Sequence, residues 1–89
     1  MTSRQVTVVN QLGMHARAAA RFVHLAGGFD AHVRVARHGR EVDGKSIMGI
    51  LLLAASRGTT ITISATGQDA EAAVDALSAL VASGFGEEA

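Results

Sequence analysis

The sequence predicts a two-layer α/β sandwich of the α+β kind, a mainly antiparallel sheet covered by helices on one face. Three observations carry that expectation. Four short segments alternate apolar and polar residues with period two, three others repeat with the period of a helix, and together they run β-α-β-β-α-β-α. One side of the strands is polar, with Thr60, Thr62 and Ser64 lining the fourth, so only the other side needs a helical cover. His38-Gly39 separates two of the strands by a hairpin-sized turn.

Each element has its own warrant. Val6 and Val8 alternate with Gln5, Thr7 and Val9, predicting a first strand over 4–9. Ala19, Phe22, Val23 and Ala26 put one apolar face on a helix that starts at Ala16 and stops at Gly27-Gly28. Val33 and Val35 mark the second strand, and Arg40 to Val42 the third, broken by Asp43-Gly44. The run from Ser46 to Ala55 suits a strand or a short helix; Ser46 as N-cap and leucines without β-branching favour the helix. Ile61, Ile63 and Ala65 alternate with hydroxyls in the fourth strand. Asp69 is placed to cap a last helix whose apolar face runs Ala70, Ala73, Val74, Leu77, Leu80 and Val81, and Gly84-Phe85 resembles a glycine C-cap with its hydrophobic contact.

Composition narrows the function classes. The chain has 89 residues, which suits one domain over 1–89, and no linker or repeat divides it. Eight basic and eight acidic residues cancel, so the basic excess of a nucleic-acid binder is missing. Its aromatics are Phe22, Phe29 and Phe85, too scattered to stack bases. Without cysteine, stability must come from packing, and a reducing compartment fits. The start of the chain lacks the charge and apolar pattern of a signal peptide, and Ile47 to Ala55 is half a membrane span. The expectation is a cytoplasmic, monomeric protein with no cofactor, no metal and no membrane insertion. His24, His32 and His38 form no His-x-x-x-His pair, which argues against zinc.

The chemistry is concentrated in Gly13-Met14-His15-Ala16-Arg17-Ala18-Ala19-Ala20-Arg21-Phe22. If a helix begins at Ala16, His15 stands beside amides that lack intrahelical partners and at the positive end of the helix. That field favours an anion and disfavours a cationic imidazole, leaving a ring lone pair near neutral pH. A neutral imidazole is a nucleophile, and Arg17 is placed to hold a dianionic group attached to it. The plainer alternative is that His15 only caps a helix, and Arg21 reads as a solvated helix residue, or secondarily as an aid to phosphate or partner binding. Ser46 repeats the theme: it is a cap first, yet a phosphate there is also favoured by the dipole. Ile47, Met48 and Leu51 cannot all point inward together with Ile50, Leu52 and Leu53, so some form either exposed docking surface or part of the core.

These residues resemble a known family. Asn10-Gln11-Leu12-Gly13-Met14-His15-Ala16-Arg17, Gly44-Lys45-Ser46-Ile47-Met48-Gly49-Ile50 and Thr60-Ile61-Thr62-Ile63-Ser64-Ala65-Thr66-Gly67 are similar to stretches of the histidine-containing phosphocarrier (HPr) family of the bacterial phosphoenolpyruvate phosphotransferase system. The resemblance runs over essentially the whole chain. It implies an open-faced β-sandwich, four antiparallel strands in order 1-4-2-3 with three helices on one face. It implies a carrier, not an enzyme, whose His15 takes a phosphoryl group on Nδ1 from phosphorylated Enzyme I and passes it to a IIA-type acceptor. Arg17 then corresponds to the arginine that neutralises the phosphohistidine, while the backbone of Ala16 and Ala18 is placed by the helix start itself to contact the phosphate. Ser46 corresponds to the target of HPr kinase/phosphorylase where that enzyme exists, and Ile47, Met48 and Leu51 to the shared partner-docking surface.

Two features depart from the commonest pattern. Ala18 stands where the family usually has proline, which restores an amide donor and removes a restraint on φ. Leu12-Gly13-Met14-His15 and Ser83-Gly84-Phe85 resemble the nitrogen-related paralogue, whereas Gly44-Lys45-Ser46-Ile47-Met48-Gly49 resembles the kinase-regulated type. The alternative function is therefore a regulatory paralogue that acts by binding partners rather than in sugar uptake.

Overall fold

A computed structural model describes residues 1–87 of the chain. Its elements are β1 (Thr2–Thr7), α1 (Ala16–Ala26), β2 (His32–Arg37), β3 (Arg40–Asp43), α2 (Ile47–Leu52), β4 (Thr60–Thr66) and α3 (Ala70–Ala82). The strands form one sheet in the order β1-β4-β2-β3, every pair antiparallel. The predicted element order and the strand order implied by the resemblance are both present.

Alternation sets the two faces of the sheet. Ile61, Ile63 and Ala65 of β4 and Val33 and Val35 of β2 are buried under the helices with Phe22, Ile50, Val74, Leu77 and Val81. The hydroxyls of β4 lie on the opposite face. Arg4 stands directly opposite Ile63 and hence on the helical side, but β1 is an edge strand and Arg4 reaches out to pair with Asp75 of α3. The hairpin between β2 and β3 turns at His38 and Gly39, with φ of 49° and 77°, the two positive values of a type I′ turn.

Two boundaries and one cap differ from expectation. β1 runs over Thr2–Thr7 rather than 4–9, because its ladder with β4 starts at Thr2 opposite Ala65 and ends at Thr7 opposite Thr60. Val8 stays buried beyond it, donating to the Thr59 carbonyl and accepting from the Gly58 amide. The second helix closes at Leu52, not Ala55. Ala54 takes a φ of 50°, while Arg37 donates to the carbonyls of Leu53 and Ala54 and Arg40 to that of Leu52, so guanidinium groups satisfy the helix end. Asp69 makes no side-chain cap for α3; its carboxylate instead accepts the amides of Asp30 and Ala31, tying the α1–β2 loop to the start of α3. Ser46 does cap α2, and Gly84-Phe85 does close α3, as expected. Among the described residues no helix is long and apolar enough to cross a membrane.

Two glycines are required by space. Gly44 packs so tightly on β2 that a Cβ would lie 2.4 Å from Cγ1 of Val33. Gly13 has a φ of 65°, and its Cβ would lie 2.7 Å from the Ala55 carbonyl oxygen, which accepts the Met14 amide. Gly13→Ala is therefore expected to cost at least about 1–2 kcal/mol from the left-handed backbone alone. Urea unfolding checks this: the midpoint falls, and an unchanged midpoint contradicts the assigned strain.

Candidate functional site

The loop from β1 to α1 is pinned at several points before it reaches the helix. Asn10 is buried and its Nδ2 donates to the Gly13 carbonyl at 2.8 Å. Met14 is buried next to it. His15 then enters α1 as its N-cap, with extended backbone at φ −72° and ψ 179°. Histidine is a rare cap, and here the ring does the work of a Ser or Asp: Nδ1 accepts the Arg17 amide at 3.2 Å. The first intrahelical bond runs from the Ala19 amide to the His15 carbonyl, 2.8 Å, so the amides of Ala16, Arg17 and Ala18 precede the helical ladder. Ala18, in the position where proline was expected, is fully buried. The Arg17 guanidinium is exposed and makes no hydrogen bond or ion pair among the described residues.

The other ring nitrogen meets a residue that the sequence reading missed. His15 Nε2 lies 2.8 Å from Oε2 of Glu87, whose Oε1 accepts from Asn10 Nδ2 at 2.7 Å. With Nδ1 accepting from Arg17, the neutral ring carries its proton on Nε2 and donates it to Glu87. The side chains of His15 and Glu87 are only 26% and 14% exposed, which lifts the pair out of the class of weak surface contacts.

Glu87 is delivered by the turn that ends α3. The Phe85 amide donates to Leu80 O and the Gly84 amide to Val81 O, the paired bonds of a Schellman motif, with φ of 73° at Gly84. Phe85 is buried, and its carbonyl accepts from Nη1 of Arg21. Arg21 is exposed on α1, as expected, and its guanidinium also anchors this turn. Desolvation opposes ionisation of Glu87, yet hydrogen bonds from His15 and Asn10 and the charges of His15 and Arg21 outweigh it and hold the carboxyl below its ordinary value. The signal for Glu87 lay in the C-cap at Gly84, which sends the chain back toward α1. Asn10 stood inside the loop motif with no role attached.

A second cluster lies on α2, which packs against α1. Ser46 Oγ accepts the Gly49 amide at 3.0 Å. Ile47 and Met48 are exposed, Leu51 is half-buried against the core, and Leu52, assigned inward by the sequence reading, is exposed instead. No hydrogen bond joins Ser46 to the His15 group among the described residues. His24, His32 and His38 lie elsewhere, and no group of metal-ligating side chains occurs among the described residues.

The lowered Glu87 titration fixes a sign. Between its folded and unfolded values the unfolded chain binds more protons, so the contact adds stability above that window and loses it as pH falls through it. The difference in Tm between the wild type and Glu87→Gln is expected to hold near neutrality and shrink in acid. A difference independent of pH contradicts the pairing.

Comparison with known proteins agrees with this architecture. Residues 2–83 match the family described as PTS HPr component phosphorylation site. The phosphocarrier protein HPr of Cupriavidus necator H16 is 51% identical over 87 residues, covering 98% of each chain. The phosphocarrier protein NPr of Shewanella violacea is 45% identical, over 94% of this chain and 92% of its own. A crystal structure of HPr from Thermoanaerobacter tengcongensis superposes with a TM-score of 0.96 at 42% identity, over the full length of both chains. A further structure from that organism, at 41% identity and a TM-score of 0.78 over 98% of this chain and all of its own, is of an HPr dimer. That relative runs against the expectation of a monomer, and the edge strands β1 and β3 leave backbone groups on which a second chain can pair. The chain belongs to the HPr family of phosphotransferase-system proteins, whose members are phosphocarriers rather than catalysts.

Proposed function

We propose that the chain carries a phosphoryl group on Nδ1 of His15, taken from phosphorylated Enzyme I and passed to a IIA-type protein. The observation that supports this most is the division of labour on the ring: Nε2 is held by Glu87, and Nδ1 faces the helix amides. A phosphoryl group on Nδ1 replaces the long cap bond from Arg17 and meets the amides of Ala16, Arg17 and Ala18 at the positive end of α1. The exposed Arg17 supplies the counter-charge. Ala18 offers an amide where a proline has none. We read residues 1–89 as one HPr-like unit working in the cytoplasm, with the phosphohistidine as its transient state.

Ser46 is the regulatory site of this reading, available to an HPr kinase/phosphorylase. Phosphate there places negative charge beside Ile47, Met48 and Leu51, the apolar surface that we assign to docking. The likeness to both HPr and NPr relatives supports a second reading, a regulatory paralogue whose output is partner binding rather than sugar uptake.

Incubation with labelled phosphoenolpyruvate and Enzyme I tests the carrier reading. Wild type takes up acid-labile phosphate and His15→Ala takes up none; undiminished label in that variant overturns it. Ser46→Asp keeps a good N-cap while adding charge, so it separates docking from folding. Its phosphorylation by Enzyme I is expected to slow on the order of tenfold. Equal rates for Ser46→Asp and wild type remove the coupling between the two sites.

A further inference from the structure

We propose that Glu87 is a positioning residue, its carboxylate, backed by Asn10, holding the His15 proton on Nε2 so that the Nδ1 lone pair is kept for phosphoryl transfer. This rests on the reading of His15 as the phosphoryl carrier. Neutral imidazole has two tautomers, and only the one protonated at Nε2 leaves a lone pair on Nδ1. Both oxygens of Glu87 are committed, Oε2 to the ring and Oε1 to Asn10. Asn10 is buried and bonded to the carbonyl of Gly13, within the loop that presents His15. Turning the Asn10 amide over would set its oxygen against the carboxylate, so the network has one sensible orientation. Behind Glu87, its own amide donates to Gly84 O, and Phe85 is buried and held by Arg21. The carboxylate is thus fixed from the loop and from the turn, as the third member of a catalytic triad fixes its histidine.

The same placement serves the transfer itself. The Nδ1 lone pair forms the N–P bond as the bond from phosphorus to the donor protein's leaving atom breaks, and that electron pair departs with the donor. The proton remains on Nε2, positive charge develops on the ring, and a carboxylate 2.8 Å from Nε2 lies against it. The plainer role for Glu87 is to fasten the chain after α3 to the loop, which leaves the ring's tautomer to the long, exposed cap bond from Arg17 alone.

Two measurements separate the roles. Two-bond proton–nitrogen NMR of the ¹⁵N-labelled chain, at a pH where the His15 ring is neutral, reads the tautomer directly and needs no phosphoryl donor. Wild type is expected to hold the Nε2–H form, while Glu87→Ala and Glu87→Gln gain an Nδ1–H population. Steady-state phosphorylation by Enzyme I, with the chain as varied substrate, is expected to lose about tenfold in kcat with KM unchanged in both variants. The Gln variant keeps the shape of the side chain, so it guards against simple loss of the turn. An unshifted tautomer in both variants, an unchanged kcat, or an effect confined to KM overturns the proposal. Failure of wild type to accept phosphate strikes at the carrier reading instead, and the tautomer measurement stands apart from it.

Discussion

Strand β4 is the constraint on which the architecture depends. It is bonded on one side to β1 and on the other to β2, antiparallel to both. The strands β1 and β2 therefore run parallel without touching, and α1 must cross over the sheet to join them. That crossing puts α1 on the face where Ile61, Ile63 and Ala65 point, and α3 returns over the same face. Because β4 runs against β1, the segment that enters β4 lies beside the segment that leaves β1. The bonds from Met14 to Ala55 and between Val8 and residues 58 and 59 are the visible result. The His15 loop is held where three connections meet.

At that meeting point one imidazole ring makes two structural contacts. The His15 ring caps a helix through one nitrogen and fastens the turn after α3 through the other. Met14, Ala18 and Phe85, from the three segments that meet here, are all buried. Arg17 is exposed on α1, and Ile47 and Met48 are exposed on α2, which packs against α1. Ser46 caps α2 and makes no hydrogen bond to the His15 group among the described residues.

How much of this was legible depended on whether a signal was local. The period-two pattern of Thr60 to Ala65, the helical face of α1, the Ser46 cap and the His38-Gly39 turn are properties of neighbouring residues, and each has its predicted form. The errors all came from residues whose partners lie far off. Thr2 and Ser3 join β1 through backbone pairing with Ala65 and Ser64, which polar side chains do not announce. Asp69 bonds to Asp30 and Ala31 instead of to its own helix. Leu52 lies outside because arginines from the β2–β3 hairpin close α2 just beyond it. Glu87 was missed for the same reason: the Gly84 cap marks a reversal of the chain, but no neighbouring residue names a histidine as the partner. The family resemblance brought His15, Arg17 and Ser46 together as a reading, but the residues around Phe85 entered as a helix cap and a paralogue likeness, with no link to His15.

The separation of 72 residues between His15 and Glu87 bears on how the protein is made. A ribosome delivers the imidazole early and its carboxylate only after all four strands and three helices have been synthesised. Throughout that interval the ring lacks its anchor, and the loop around it can be no better ordered than a nascent chain allows. The contact between His15 and Glu87 is thus finished as folding finishes, by the closing of a long loop rather than by any local turn.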